Sequence, residues 1–333
     1  MNPPTILPVP EDGKPRPFWS AMIPAYNPPK DYLEQTLRSV LAQDPGPEQM
    51  QIEVVDDCSP KVDVTALVRE IAGDRVIVSQ TPKNLGLAGC WNTCIERSLG
   101  EWVHIFHQDD VVLPGFYAAL RQGIESDSQV GLAFCRHIFL DSDGHWLGLS
   151  AIEQPVAGRF PEANIRLTEM QRIQTPAVVV RREAYEQLGG FRTDLSFALD
   201  WEMWCRIANR HAVWFEPRVL AAYRSHPASA SSRLARNGED VRDTLRCIAI
   251  TEKMLPAESA HRVGCTARTN YALLLLDNAW NLAGRRQYAD VWTQAQRACS
   301  CSGSRRVIWK LWLLVWQFLG LELRRLFGRS KNP

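Results

Sequence analysis

Between Phe18 and about Val180 the chain repeats one pattern, a short and almost wholly apolar run followed by a segment with apolar residues at helical spacing. The runs are Trp19 to Ile23, Ile52 to Val55, Val76 to Ser79, Trp102 to Phe106 and Gly131 to Phe134. Each is short enough to be a strand buried on both faces. Asp31 to Gln43, Val62 to Ala72 and Leu87 to Leu99 lie between the first four and read as helices. Parallel strands need crossover helices, so this alternation predicts an α/β protein with a mainly parallel, doubly wound sheet and helices on both faces. Ligands of such sheets bind outside the carboxyl ends of the strands.

Those ends are where the polar residues collect. The first run leads into Pro24, Ala25, Tyr26 and Asn27, the second into Asp56 and Asp57, the third towards Asn84, Leu85 and Gly86, and the fourth into His107, Gln108, Asp109 and Asp110. The adjacent carboxylates of "HQDDVVLP" allow two readings. Asp is common in tight turns after strands, and paired carboxylates also suit a hard divalent cation such as Mg²⁺ or Mn²⁺. Taken alone, these residues leave both readings open. Four polar strand ends on one sheet edge are harder to explain as four independent turns.

Composition narrows the partners. Across 333 residues, 45% apolar and 23% charged content describe an ordinary globular chain. A formal charge of +1 lends no support to a nucleic-acid surface. The nine cysteines are scattered without a C-x-x-C pair, against both a disulfide framework and a structural zinc site. A reducing, cytoplasmic setting is the expectation. The start, "MNPPTILPVPEDGKPRPF", carries prolines where an export signal has an apolar core, so residues 1–17 read as a flexible lead-in.

The stretches "IPAYNPPKDYLEQTLRSVLAQ", "VVDDCS", "NLGLAGCWN", "HQDDVVLPGF", "GGFRTDLSFALDWEMWCRIA" and "YRSHPASAS" together resemble the inverting family 2 glycosyltransferases of Rossmann-like GT-A fold, over roughly Ser20 to Ser232. The resemblance implies a GT-A domain over 18–236, with a nucleotide-sugar half at about 18–114 and an acceptor half at about 115–236. It implies transfer of a sugar from a UDP- or dTDP-linked donor to a hydroxyl of a lipid-linked or growing glycan, as in cell-surface polysaccharide biosynthesis, with Mn²⁺ or Mg²⁺ as cofactor. Donor contacts would then come from Pro24, Ala25, Tyr26, Asn27, Asp57, Asn84, Gly86, Asn92, Asp109, Arg224 and Arg233, with Asp57 accepting the base N3–H. Metal ligation would fall to Asp109, Asp110 and His226. The sequence departs from the family pattern at His107, which stands where the first Asp of the metal motif is often found. Asp200, at the head of "LDWEMWCRIA", corresponds to the family general base; by position alone it is also a candidate helix N-cap. Trp201 and Trp204 share a helix face, with Trp204 expected in the core and Trp201 free to stack on a sugar.

Two other functions compete. A sugar-nucleotide pyrophosphorylase would share the sheet but needs a glycine-rich, arginine-containing phosphate loop after the first strand, and Pro24 to Pro29 is nothing of the kind. A catalytically silent carbohydrate-binding or scaffold protein of the same fold has no reason to keep Asp57, Asp109, Asp110 and Asp200 together.

After about Asn237 the pattern turns helical, with Glu239 to Met254, Thr266 to Leu282 and Tyr288 to Ala298 forming an expected bundle over 237–303. The last segment, 304–333, has an apolar run from Val307 to Leu321 broken by Lys310 and Gln317. That is short of the roughly 20 residues of a spanning helix. Arg306, Lys310, Gln317 and Arg324 share one narrow helical face, and Trp309, Trp312 and Trp316 lie away from it. This composition predicts an amphipathic helix on the inner, cytoplasmic face of a membrane; the competing expectation is a helix docked on the protein itself.

Overall fold

The computed structural model describes the backbone of residues 2–11, 13 and 15–328, with side chains up to residue 317. In the first half the expected alternation is present: β1 (Trp19–Ala25), α1 (Lys30–Leu41), β2 (Met50–Asp56), α2 (Val64–Ala72), β3 (Ile77–Gln80), α3 (Gly86–Arg97) and β4 (Trp102–Ile105). The chain continues through β5 (Val111–Val112), α4 (Phe116–Glu125), β6 (Val130–Leu140), β7 (Trp146–Leu149), β8 (Gly158–Arg159), α5 (Ala163–Glu169), β9 (Val178–Arg181), α6 (Arg182–Leu188), α7 (Leu199–Ala208), β10 (Ala212–Arg224) and α8 (Ala230–Asn237). Four further helices close it: α9 (Glu239–Glu252), α10 (Ala257–Gly284), α11 (Tyr288–Cys301) and α12 (Arg305–Gly328).

The main path of the sheet runs β3-β2-β1-β4-β9-β6-β10-β5, with β7 on β6 and β8 on β10. From β3 to β4 every pairing is parallel. Antiparallel pairings enter with β9, which lies between β4 and β6. β1 and β2 are buried along their whole length, as a strand covered by helices on both faces must be. Leu33, Leu37 and Val40 on α1 and Leu67 and Val68 on α2 join Ile23, Ile52 and Val54 in one apolar core. Leu37 is fully buried there, so truncation to Ala costs about 2–5 kcal/mol. Asp63 caps α2 by accepting from Ala66 N–H at 2.9 Å.

The N-terminal segment differs from its expectation as a flexible lead-in. Ile6 is buried, Pro4 C=O accepts from Gly190 N–H at 2.8 Å, and Leu7 C=O accepts from the buried Arg182 guanidinium.

The chain forms two compact units, residues 1–167 with 171–243, and residues 168–170 with 244–333. The first turn of α9 therefore belongs to the first unit, a few residues beyond the expected boundary at 236. In the second unit α10 packs with α11 and α12, burying Val263, Ala267, Leu275, Leu276 and Ala279. Among the described residues no helix is long and apolar enough to cross a membrane.

Candidate active site

The carboxyl ends of β1, β2 and β4 open onto a cleft of about 460 Å³ in the first unit, lined also by α3, the start of α7, the end of β10 and α8. Backbone hydrogen bonds bring the strand ends together. Phe106 N–H donates to Met22 C=O and Asp57 N–H to Ala25 C=O, and the Gln108 side chain ties itself to Tyr26 through both N–H and C=O.

Asp57 is buried at the floor of one end of the cleft. Its Oδ1 accepts from Leu85 N–H at 2.7 Å and Thr81 Oγ at 3.0 Å, and its Oδ2 from Gly86 N–H at 3.0 Å. Gly86 has φ +73°, a conformation that disfavours a side chain and turns its N–H onto the carboxylate. A carboxylate oxygen has two lone pairs, so Oδ2 keeps one free for a donor in the cleft.

The turn reading of Asp109-Asp110 and the ligand reading prove compatible. Asp110 N–H donates to His107 C=O at 3.3 Å, so the backbone itself closes the turn and neither carboxylate is needed for it. Asp109 Oδ2 meets His226 Nε2 at 2.8 Å. Asp110 is almost completely buried; its Oδ1 accepts from Arg224 N–H at 2.8 Å, and its Oδ2 lies 3.3 Å from His107 Nδ1 without a well-formed hydrogen bond. His107 stacks on Trp91 at 5.0 Å and leaves Nε2 unpartnered among the described residues. One potential ligand atom from each of His107, Asp109 and Asp110 falls within 4.8 Å of the others. Burial pushes the Asp110 carboxyl up to about 6, helped by Asp109 and opposed by His107 and the Arg224 N–H. Burial works against charge on His107, but Asp110, Asp109 and Asp200 outweigh it and hold its pKa above the usual imidazole value.

Asp200 faces the same cleft from α7. It is not the N-cap: Ala198 holds that position without a side-chain cap, and Asp200 lies in the first turn. Its Oδ1 accepts from Trp201 N–H at 2.7 Å and its Oδ2 from Gln171 Nε2 at 2.8 Å. Burial raises its pKa to about 6, with Trp201 N–H, His107 and Gln171 pulling the other way. The loop ahead of α7 is held by Asp243 Oδ2, which accepts from three successive N–H groups, of Ser196, Phe197 and Ala198, at 2.7–3.0 Å. Asp243 and Gln171 lie 43 and 29 residues from Asp200, and no local pattern marks either.

Of the residues picked out in the sequence, Pro24, Ala25, Tyr26, Asp57, Asn84, Gly86, Asp109, Asp200, Arg224, His226 and Arg233 line the cleft. Arg233 stands on α8, which Ser229 caps through Ser232 N–H. Five picks go elsewhere or act indirectly. Asp110 is buried behind the lining, where it accepts from Arg224 N–H. Asn92 is buried with its amide bonded at both ends to the Phe191 main chain, and Gly190 leaves no room for a Cβ beside it. Asn27, with φ +46°, binds Ser59 and Lys61 rather than the cleft. The Arg224 guanidinium faces Asp109 C=O, Gln35 and the Tyr32 ring, so it supports the acidic turn more than it offers itself to an anion. Trp201 is buried with its indole N–H on Leu167 C=O and cannot stack on a sugar. Trp204 is in the core as expected. Trp91 is buried behind His107, on which it stacks, and Tyr26 is the exposed aromatic ring of the cleft lining.

The glycosyl transferase family 2 model matches residues 20–189. An uncharacterised protein of Mycobacterium tuberculosis is 30% identical over 251 residues, covering 70% of this chain and 75% of that protein. Among solved structures, Staphylococcus aureus TarS 1–349 in complex with UDP-GlcNAc superposes with a TM-score of 0.65 at 16% identity, over 94% of this chain and 93% of that one. The mannosyltransferase PcManGT of Pyrobaculum calidifontis, in complex with GDP-Man and Mn²⁺, gives 0.57 at 18% identity over 95% and 90%. With a family match across half its length, a GT-A sheet and an acidic cleft at the strand ends, this chain belongs to glycosyl transferase family 2.

Proposed function

We propose that this glycosyltransferase acts with inversion, taking a sugar from a UDP- or dTDP-linked donor to a hydroxyl of a growing or lipid-linked glycan, with Asp200 as general base. The observation that carries the proposal is the convergence of Asp57, Asp109 and Asp200 on one cleft, with Asp200 desolvated and its pKa raised to about 6. A base poised near neutrality both holds a proton well and is free to take one. Inversion needs a single displacement, with the acceptor oxygen attacking from the face opposite the nucleotide, and a base on a different wall from the donor-side carboxylates suits that geometry.

Asp57 Oδ2, with its remaining lone pair, accepts the N3–H of a uracil or thymine base. Arg233 on α8 meets the diphosphate. The donor set fits a divalent cation: Asp110 offers a buried oxygen without a well-formed hydrogen bond, Asp109 stands next to it, and His107 brings a third ligand atom within 4.8 Å. Asp109 and Asp110 would hold Mn²⁺ or Mg²⁺, with His226 oriented on Asp109. When bound, the cation neutralises charge on the departing diphosphate. The test is calorimetric titration of a nucleoside diphosphate panel with and without Mn²⁺. Uridine or thymidine diphosphate binding more tightly with Mn²⁺ supports the reading, and metal-independent binding of every nucleotide overturns it.

A further inference from the structure

Helix α12 is turned inside out relative to a helix of a water-soluble bundle. The stripe it presents to α10 is mixed: Val307 and Leu314 are buried, but Lys310 pairs with Asp277 and Gln317 Nε2 reaches Trp280 C=O at 3.5 Å. From Ile308 to Trp316 the stripe it presents outward is apolar. Ile308, Trp309, Trp312, Val315 and Trp316 are each 48–66% exposed. A helix folding only in water puts its apolar stripe against the bundle and its polar stripe outside, so the disposition here implies that something other than water covers the outer face.

We infer that this outer face seats on the interfacial zone of an anionic lipid bilayer. Tryptophan is the residue most suited to that zone, where an amphipathic ring meets headgroups and acyl chains together, and three of the five outward residues are tryptophan. The charge is complementary as well: Arg305 and Arg306 are exposed at the start of the helix, and in sequence Arg324, Arg325, Arg329 and Lys331 follow the apolar stretch. Basic residues beside an apolar stripe draw a helix to anionic headgroups. Among the described residues no helix is long and apolar enough to cross a membrane. This inference does not depend on the sugar or the acceptor that the cleft takes.

The test is sedimentation of the full chain with vesicles of phosphatidylcholine alone or with about one third phosphatidylglycerol, alongside light scattering without lipid. The full chain should bind the anionic vesicles, and the W309S/W312S/W316S variant should bind at least about tenfold more weakly. These side chains are exposed, so the variant should keep the wild-type melting curve. The R305E/R306E variant should lose its preference for anionic over neutral vesicles. Failure of the full chain to bind, or equal binding by the tryptophan variant, would overturn the inference. So would a lipid-free dimer that the tryptophan variant dissociates, since the covering surface would then be a second copy of the chain.

Discussion

Asp57 and Asp200 face the same cleft, yet they come to it by different routes. Asp57 follows directly from β2, and its partners Thr81, Leu85 and Gly86 come from the connection after β3 and the first residue of α3. A parallel sheet delivers that arrangement through its topology alone. Asp200 depends on contacts from elsewhere: Gln171 from the segment after α5, three N–H groups gathered by Asp243 on α9, and the Trp201 indole anchored to Leu167 C=O. On the proposed function Asp57 stands on a donor wall and Asp200 on an acceptor wall, the first built by strand succession and the second by long-range side chains. On that account the acceptor wall should be the more easily disabled, with turnover failing while nucleotide binding persists.

The largest expected effect is that of Asp200→Asn, which should lower turnover by about 10²–10⁴-fold and leave nucleotide affinity unchanged. Stability should hold, because the Asn oxygen can still accept from Trp201 N–H. Gln171 Oε1, unpartnered among the described residues, can rotate to accept from the new amide. Next comes Asp110→Asn, which keeps the acceptor for Arg224 N–H but removes a charge from the proposed cation site; Mn²⁺-dependent nucleotide affinity should fall about 10–100-fold. Loss of turnover with unchanged Mn²⁺ dependence would undo the division between the two walls.

The pH profile sharpens the comparison. As the proposed general base Asp200 would act deprotonated, so turnover should rise about tenfold per pH unit below 6 and level off above it, following the raised carboxyl at about 6. Stability runs the other way. A carboxyl raised from about 3.9 in the unfolded chain favours the fold at low pH, and that contribution is lost as pH rises towards 6. Asp200→Asn should therefore not lower the melting temperature at pH 8, and a marked drop measured by calorimetry would mean that the charge is structurally required. Asp243→Ala strands three N–H groups and should cost at least about 1–3 kcal/mol, with turnover falling more than nucleotide affinity. Trp201→Phe, which loses one hydrogen bond, should cost about 1 kcal/mol.

The same contrast explains what could be read from the sequence. β1 to β4 and their helices lie within a few residues of expectation; β1, β2 and β4 are buried throughout, as continuous apolar runs predict, whereas β3 is the edge strand and is half exposed rather than buried on both faces. β6 extends much further than the run Gly131 to Phe134 suggests, to Leu140, and β10 runs on to Arg224. β6 continues through Arg136 and His137. β10 is interrupted by Glu216, Pro217 and Arg218, where the pairing shifts register, and a bulge of that kind breaks the period on which strand reading depends. Asp57, Asp109 and Asp200 were visible because each follows or opens an element. Gln171 and Asp243 were not, since side chains that meet only through the fold leave no spacing to detect. In α12, Lys310 and Gln317 turn to α10 while Trp309, Trp312 and Trp316 turn outward, and Arg306 is exposed; the side chain of Arg324, the fourth polar residue of the expected face, lies outside the described residues. Which stripe faces the protein is decided by α10, and nothing within the segment encodes that.

The most direct test of the two-wall account is steady-state consumption of a nucleotide sugar, resolved into kcat and KM, for wild type, Asp110→Asn and Asp200→Asn in the presence of Mn²⁺. The account predicts that Asp200→Asn lowers kcat with KM for the donor unchanged, and that Asp110→Asn raises KM and abolishes its dependence on Mn²⁺. If Asp200→Asn keeps wild-type kcat, or weakens donor binding as much as Asp110→Asn does, the acceptor wall does not supply the base and the account is wrong.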